Sequence, residues 1–317
     1  MTRAWKNAAR VVSVGECMVE LARGPDGRFG LSYGGDTFNT SVYLSRAGCS
    51  VAYATALGDD PYSAGIAEMA EREAVATDLM VTLRGRMPGL YLIETAQGER
   101  TFWYWRDRAA ARDLFECEHS ARVATELAAA GLIYFSGVTL SLYSERGLDT
   151  FAAALSRAKA AGALIAMDSN YRPRGWGGDV ARAQRTFERF WRLADVALPT
   201  FEDEQALWGD ATPAVVAARM RGLGVPEVVV KSGPDGAYAA SGSKEQVVPC
   251  PAVLDPVDTT AAGDSFNAGY IAARRSGATE VEAVDSAHRL AAVVIQHRGA
   301  IVPKDATDTV VDRRKPD

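Results

Sequence analysis

The sequence is poor in the residues that mark disulfide scaffolds and metal centres. It has four cysteines and three histidines in 317 residues. Cys17, Cys49, Cys117 and Cys250 lie far apart without a CxxC pair, which excludes a disulfide-rich secreted fold and favours reduced thiols in the cytoplasm. The histidines show no HExxH or other metal-ligand spacing, so the sequence does not indicate which residues would bind a metal.

Long hydrophobic runs and an excess of basic charge are also missing. No apolar run approaches ~18 residues, so no contact with a membrane is expected. The first residues, "MTRAWKNAAR", lack the apolar core of a signal peptide. Asp and Glu number 40 against 35 Lys and Arg, which gives a net charge of −5. This balance argues against a nucleic-acid partner, which selects a basic face. It leaves open a small anionic substrate, because a few arginines can dominate one pocket.

The two common phosphate-binding loops do not occur. Nothing matches GxxxxGK[ST], and no GxGxxG follows a predicted strand, which excludes a Walker A loop and a dinucleotide fingerprint. A nucleotide site in this chain would need a different kind of phosphate-binding structure.

What the chain does have is a regular alternation of strand and helix patterns. Short apolar runs such as "RVVSVGE", "VAYATALG" and "ALIAMDSN" alternate with amphipathic segments around residues 148–161, 181–193 and 213–222. This pattern predicts an α/β fold with a mostly parallel central sheet covered on both faces. Two segments break the alternation, and we expect them to form a small β-layer. One is the Gly-rich stretch 18–34, and the other reads as a β-hairpin, "GLYLIETAQGERTFWYWR".

An acidic residue follows a run of small residues in "DTTAAGDSFNAGYIAA". Free N–H groups at a helix N-terminus bind anions, and small residues let a phosphate come close. Asp264 in the same turn would repel phosphate unless it accepts a proton from a hydroxyl nucleophile. The simpler alternative is a capping aspartate before a core helix.

A second candidate is the Gly-Gly stretch "YGGDTFNTSVYLSRAG". Gly34 and Gly35 permit close backbone approach, and Asp36 and Asn39 are suited to binding sugar hydroxyls. The alternative is a plain turn before a helix.

Further candidates lie at a hairpin end and at strand ends. Tyr104 and Arg106 fall on one face of the hairpin, and an arginine fork can hold a carboxylate with two bonds. The alternative is an exposed arginine on a strand edge. Asn170 and Arg172 follow a predicted strand, where open α/β sheets bind ligands. The turn "KSGPDG" follows another strand, although alone it is an ordinary hairpin turn.

Taken together, these segments resemble the ribokinase-like (PfkB) family of carbohydrate kinases over nearly the whole chain. "DTTAAGDSFNAGY" and "GGDTFNTSVYLSRAG" are similar to the two signatures of that family. "GECMVEL", "PGLYLIET", "GERTFWYWR" and "DSNYRPRGW" are similar to segments of its members that act on 2-keto-3-deoxy-D-gluconate. The resemblance implies one three-layer α/β/α kinase domain over residues 10–310, with a β-sheet lid formed by about 18–34 and 86–110.

The resemblance also implies a reaction and the residues that perform it. ATP would phosphorylate the 6-hydroxyl of 2-keto-3-deoxy-D-gluconate, with Asp264 as general base and Ala261, Ala262 and Gly263 as an anion hole. The implied substrate contacts are Gly34, Gly35, Asp36, Tyr91, Tyr104, Arg106, Arg172 and Asp264. The implied ATP contacts are Asn170, Arg172, Lys231, Ser232, Gly233, Gly236, Ala261, Ala262 and Gly263. A Mg²⁺ ion is expected at the phosphates, and a homo-oligomer paired through the lid is implied.

Several alternatives stay open from sequence. The alternative substrates are 2-keto-3-deoxygalactonate, ribose and fructose, and a further alternative is a sugar-acid sensor on an inactive kinase scaffold. A sensor predicts a damaged base motif, whereas Gly263 and Asp264 are intact. Thr200 and Asp203 stand where many family members carry Asn-x-x-Glu, which puts the role of that motif in doubt. A monovalent-cation site near residues 255–259 is not decided.

Overall fold

The computed structural model describes residue 5 and residues 9–24, 26–96, 99–251 and 255–311. Within them, strands and helices alternate along most of the chain. The strands are β1 Val11–Val14, β2 Met18–Arg23, β3 Phe29–Gly34, β4 Val51–Leu57, β5 Met80–Thr82, β6 Leu90–Ala96, β7 Glu99–Trp105, β8 Leu132–Ser136, β9 Leu164–Asp168, β10 Val196–Ala197, β11 Glu227–Lys231, β12 Ala237–Ser241 and β13 Lys244–Val248. The helices are α1 Asp36–Arg46, α2 Pro61–Arg72, α3 Ser120–Ala128, α4 Gly137–Leu142, α5 Glu145–Ala160, α6 Val180–Trp191, α7 Phe201–Trp208, α8 Pro213–Gly222, α9 Ala262–Arg275, α10 Glu280–Val294 and α11 Lys304–Val311.

The larger sheet has the strand order β13-β12-β11-β10-β9-β8-β1-β4-β5. Its pairs are parallel from β11 through β5, and the pairs β11–β12 and β12–β13 at the other side of the sheet are antiparallel. The predicted mostly parallel sheet is therefore confirmed. The edge strand β13 was not predicted. Four of its five residues are exposed, and three of these are the polar residues Lys244, Glu245 and Gln246, so the strand carries no apolar pattern.

A hydrophobic core lies on each face of the larger sheet. Along β1, Val12 and Val14 belong to one core and Val11 to the other, as the two-residue period of a strand requires. Helices α3 to α8 supply side chains to the first core, and α1, α2, α9 and α10 supply the second. The result is the expected three-layer arrangement. None of the described helices is long and apolar enough to cross a membrane.

The two segments that break the alternation form a separate small sheet, with the order β3-β2-β6-β7. The hairpin β6–β7 pairs antiparallel, with Tyr91 opposite Tyr104 and Leu90 opposite Trp105. Its turn at residues 97–98 lies outside the described residues. Because side chains alternate across a strand, Tyr91 and Tyr104 share one face of this small sheet and Trp103 and Trp105 point to the other.

Candidate active site

A cleft of about 1510 Å³ lies between the two sheets, at the carboxyl ends of the parallel strands. That end of an open parallel sheet is where ligands bind. The predicted site residues along its walls are Gly35, Asp36, Tyr91, Tyr104, Arg106, Asn170, Arg172, Ala261, Ala262, Gly263 and Asp264. The other five, Gly34, Lys231, Ser232, Gly233 and Gly236, lie outside the lining. One cleft therefore brings together eleven of the sixteen predicted residues.

Helix α9 begins under this cleft with a turn that no side chain caps. Its N-cap residue, Ala261, has a left-handed backbone with φ of 60°, and it offers no side-chain acceptor to the first turn. Asp264 is the third residue of the helix rather than its cap. Its Oδ2 accepts a hydrogen bond of 2.8 Å from Asn39 Nδ2 on helix α1. The capping interpretation of Asp264 is therefore wrong, and its carboxylate faces the cleft.

The surroundings of Asp264 raise the pKa of its carboxyl toward neutral pH. Burial disfavours the charged form and is the main reason that its pKa is raised to about 7; the neighbouring charges of Asp36 and Asp168 act in the same direction. The hydrogen bond from Asn39 and the positive charge of Lys231 oppose this rise. A group with such a pKa is well suited to accept a proton at neutral pH.

Asp36 opens helix α1 opposite Asp264 and is held by two donors. Ser136 Oγ donates to Asp36 Oδ2 at 2.5 Å, and Asn170 Nδ2 donates to the same oxygen at 2.6 Å. Asn170 has a positive φ of 31°, a conformation that non-glycine residues rarely adopt. The loop after β9 is thus held in an uncommon conformation with its amide on Asp36.

A buried polar cluster supports the floor of the cleft. Lys231 Nζ donates to Asp168 Oδ2 at 3.0 Å and to Asn267 Oδ1 at 2.9 Å. Asn267 Nδ2 in turn donates to Asp168 at 2.7 Å and to Tyr134 at 2.9 Å. A Cβ atom added to Gly263 would lie 3.7 Å from Lys231 Nζ, so the ammonium group lies beneath the first turn of α9. The turn that follows Lys231 holds Ser232, Gly233 and Gly236, and it joins β11 to β12.

The opposite end of the cleft is positively charged. The guanidinium groups of Arg106, Arg172 and Arg174 surround Tyr104, and their charges oppose the rise that burial causes in the pKa of its hydroxyl. Arg106 forms an ion pair with the buried acid Glu16, with 2.5 Å between Nη2 and Oε2. Arg106 is not an exposed arginine on a strand edge, since its side chain is only 18% exposed. Its fork around a substrate carboxylate stays a prediction.

Arg172 is held by Asp203. Its Nη1 donates to Asp203 Oδ1 at 3.0 Å, and the backbone N–H of Tyr171 donates to Asp203 Oδ2 at 3.1 Å. Burial raises the pKa of Asp203, while the charge of Arg172 lowers it. Thr200 lines the cleft, and its backbone N–H donates to Ser169 Oγ at 3.0 Å. Asp203 therefore fastens the loop that carries Asn170 and Arg172.

Tyr91 reaches the cleft from strand β6, but its hydroxyl is already engaged. It donates a short hydrogen bond to Glu20, which also accepts from Ser32 at 2.8 Å. A Cβ atom on Gly34 would lie 3.0 Å from the Tyr91 hydroxyl oxygen, which explains why the smallest residue stands there.

The described residues contain no group of three or more His, Cys, Asp or Glu side chains arranged to hold a metal ion. Near residues 255–259, Asp258 accepts hydrogen bonds of 2.7 Å from the Thr260 hydroxyl and from the Gly299 N–H.

Comparison with known proteins identifies the family. The family model for pfkB family carbohydrate kinases matches residues 8–307. The chain belongs to this family of carbohydrate kinases. It is 42% identical over 307 residues to the 2-dehydro-3-deoxygluconokinase of Escherichia coli, an alignment that covers 94% of this chain and 98% of that relative.

Solved structures share the fold of this carbohydrate kinase. The 2-dehydro-3-deoxygluconokinase of Thermotoga maritima superimposes with a TM-score of 0.82 at 21% identity, covering 96% of this chain and 98% of that one. A fructokinase with bound ATP from Xylella fastidiosa gives a TM-score of 0.80 at 19% identity, covering 96% and 98%. At such identities the likeness supports the three-layer fold with its small sheet.

Several polar residues of the site were not predicted from sequence. Ser136 and Asp168 end strands β8 and β9, and Asn267 follows Asp264 by three positions, on the same side of α9. The available signal was their position, at the ends of two strands and one helical turn after Asp264. Glu16 lies two positions after the end of the first strand, yet nothing in the neighbouring sequence identifies a partner 90 positions away.

Proposed function

We propose that this kinase transfers the γ-phosphoryl group of ATP to the 6-hydroxyl of 2-keto-3-deoxy-D-gluconate. The observation that carries the proposal is the polarity of the cleft. One end holds a carboxyl with a pKa of about 7 beside an uncapped helix N-terminus, and the other end holds three arginines. The relative that shares 42% of its residues with this chain is a kinase of the same sugar acid under its other name, 2-dehydro-3-deoxygluconate.

In this proposal Asp264 is the general base. Its carboxylate would accept the proton of the 6-hydroxyl as that oxygen attacks the phosphorus atom. Asn39 holds the carboxylate in place by its 2.8 Å hydrogen bond. The N–H groups of the turn Ala261–Ala262–Gly263 would stabilise the charge that develops on the transferred phosphoryl group.

At the other end, Arg106 and Arg172 would bind the carboxylate of the sugar acid. Both line the cleft, and a planar guanidinium can make two parallel hydrogen bonds to a carboxylate. Gly34, Gly35, Asp36, Tyr91 and Tyr104 would complete the sugar site. A neutral sugar such as ribose or fructose would leave the arginines without their partner.

ATP would lie along the turn of α9, with Asn170, Arg172, Lys231, Ser232, Gly233 and Gly236 as further contacts. Lys231 would act from beneath the turn, because its ammonium group is buried there. A bound Mg²⁺ ion neutralises phosphate charge in such reactions. A monovalent cation near residues 255–259 is part of the proposal, and Asp255 and Asp258 are the carboxylates of that segment. All four cysteines lie in the described part of the chain and none forms a disulfide, in keeping with a cytoplasmic enzyme.

We also propose that two copies of the chain pair through the outer face of the small sheet. Phe29, Leu31, Trp103 and Trp105 are between 47% and 60% exposed on this face, which points away from Tyr91 and Tyr104. Contiguous exposed apolar surface of this kind marks an interaction site. Sedimentation of the wild-type chain should give a dimer or larger species, and Trp103→Ser with Trp105→Ser should shift it to the monomer. A monomeric wild-type chain would contradict the pairing.

The substrate proposal is tested by ADP release with Mg-ATP and one acceptor at a time. The acceptors are 2-keto-3-deoxy-D-gluconate, 2-keto-3-deoxygalactonate, gluconate, ribose and fructose. Turnover confined to the keto-deoxy acids is expected. Turnover on ribose or fructose alone would retain the kinase and overturn the roles of Arg106 and Arg172. No turnover on any acceptor, with binding of the keto acid retained, would favour a sensor.

A further inference from the structure

Glu16 and Arg106 meet where the chain passes between the two sheets. Glu16 lies between β1 of the larger sheet and β2 of the small sheet, and Arg106 directly follows β7, where the chain leaves the small sheet. The Glu16 side chain is 1% exposed, although it carries a carboxyl group and lines the cleft. Such a buried acid is uncommon unless it is paired.

Two glycines make the room that this acid needs. A Cβ atom on Gly89 would lie 2.6 Å from Glu16 Oε1 and 3.1 Å from Arg106 Cβ. A Cβ atom on Gly35 would lie 2.1 Å from the backbone oxygen of Glu16. Any larger residue at either position would push the acid or the arginine away. The contact between Glu16 and Arg106 is therefore built into the backbone around it.

The pair is close but poorly hydrogen bonded. Among the described residues, both carboxylate oxygens of Glu16 and the Nε and Nη2 atoms of Arg106 are buried without a well-directed hydrogen bond. The attraction within a buried ion pair offsets the cost of removing both charges from water only when further hydrogen bonds are made. Arg106, which lines the cleft, thus has buried donors that its present partner does not use well.

The surroundings of Glu16 decide which of its two forms is stable. Burial raises the pKa of Glu16 above its usual value, and the charge of Asp36 adds to this rise, while Arg106 and Arg112 lower it. The other titratable groups close enough to feel its charge are Cys17, Tyr53 and Tyr143. Arg106 is the largest influence that keeps the carboxylate charged. If Arg106 turned to another anion, that stabilisation would weaken.

We propose that Glu16 is a specificity-determining residue, the resting counterion of Arg106, which a substrate carboxylate displaces while Glu16 takes up a proton. The proton comes from solvent through the cleft and forms an O–H bond on the Glu16 carboxylate. The net charge around Arg106 is then unchanged, because one anion replaces another. The exchange rests on the function proposed above, since it needs an anionic sugar at Arg106.

The exchange explains how one site can prefer acids over neutral sugars. A neutral sugar offers no anion to compensate Arg106, so Glu16 stays charged and keeps its partner. A sugar acid is favoured because it supplies the directed bonds that Glu16 lacks. Binding that takes up a proton weakens as pH rises, since the proton becomes scarcer.

Calorimetric titration in pairs of phosphate-free, carboxylate-free buffers of different ionisation enthalpy, chosen to buffer at each pH, measures the proton uptake directly. The two ligands are 2-keto-3-deoxy-D-gluconate and 3-deoxyfructose, which has a CH₂OH group in place of the carboxylate. Both present the same 6-hydroxyl to Asp264, so the difference between them removes any proton uptake at that residue. Titrations run from about pH 5 to about pH 8, the range that a raised Glu pKa spans.

We expect the sugar acid to take up more protons than 3-deoxyfructose on the wild-type enzyme, and this difference to vanish in Glu16→Gln. Glu73→Gln is the matched control, because Glu73 forms a buried ion pair with Arg46 at 2.8 Å away from the cleft. It should retain the wild-type difference. An equal uptake for both ligands on the wild-type enzyme would overturn the exchange, and this measurement does not depend on any variant folding. A difference that persists in Glu16→Gln would also overturn it.

Failure of the substrate proposal looks different. The same preparations are first assayed for ADP release. If the sugar acid is not phosphorylated, the function proposed above fails and the exchange fails with it. If the sugar acid is phosphorylated but shows no extra proton uptake, only the exchange is overturned.

Discussion

The two ends of the cleft are built differently. At the end near α9, three carboxylates each receive a directed hydrogen bond from a neighbouring side chain: Asp264 from Asn39, Asp36 from Asn170, and Asp168 from Asn267. At the arginine end, Arg106 meets Glu16 without such bonds, and the Arg172 side chain is 59% exposed.

This difference suggests that the α9 end of the cleft serves the reaction and the arginine end serves substrate recognition. Groups that act on a transition state work best when they are already in place, because no reorganisation is then needed during the reaction. A recognition group gains selectivity when the correct ligand supplies bonds that the empty site lacks. We therefore expect substitutions at the α9 end to change kcat and those at the arginine end to change KM.

The largest effect is expected for Asp264→Asn. This change keeps the shape of the side chain and the contact with Asn39 but removes the proton acceptor. The value of kcat should fall by about 10²- to 10⁴-fold, the usual contribution of a general base, while calorimetry shows nearly unchanged affinity for the sugar acid. A variant with kcat close to wild type would exclude Asp264 as the base.

The second largest effect is expected for Arg106→Ala, which should raise KM for the sugar acid. Loss of a charged hydrogen-bonding partner of about 1.5–3 kcal/mol predicts a rise in KM for the sugar acid of about 10- to 100-fold. KM for ATP should stay nearly constant. Arg106→Lys should fall in between, since it keeps the charge and loses the planar fork.

The Arg106→Ala variant needs one control for protein stability. Arg106→Ala leaves Glu16 buried without a counterion, which by itself destabilises a protein. The double variant with Glu16→Gln removes that charge and should recover the Tm but not the KM. Recovery of both would show that Arg106 acts only on folding.

The fold was readable from sequence because its signals are local. The apolar run of β1 predicts a strand, and the small residues before α9 predict the start of a helix. Strand β13 escaped prediction because an exposed edge strand has no apolar pattern to detect. In the site, Asp264 and Arg106 were predicted through motif resemblance and side-chain type. Glu16 was not, because its partner and the two glycines that admit it come from segments that meet only in the folded chain.

A pH profile sharpens the comparison further. Because the pKa of Asp264 is raised to about 7 and the base must be charged to accept a proton, kcat should rise with pH through about 7. Below that point it should drop about tenfold per pH unit. Asn39→Ala removes a hydrogen bond that favours the charged form, so the midpoint should move to higher pH. A flat profile from pH 5 to pH 8 would contradict a base with this pKa.

The smallest effect is expected for Asp203→Asn. It weakens the hold on Arg172, but exposed ion pairs contribute only about 0.2–1 kcal/mol. KM for the sugar acid should rise less than about fivefold. Asp149→Asn, which breaks an exposed pair with Arg189 away from the cleft, should leave KM unchanged. A large fall in kcat for Asp203→Asn would instead place this acid among the groups that act on phosphate.

The hydrogen bond between Asn39 and Asp264 joins residues 225 positions apart in the chain. During synthesis, when chains grow at about 5–20 residues per second, the helix that carries Asn39 is complete well before its partner exists. Asp264 therefore acquires its orientation only once α9 has packed against α1. The proposed base is thus a property of the finished molecule, since neither half of the chain holds it in place alone.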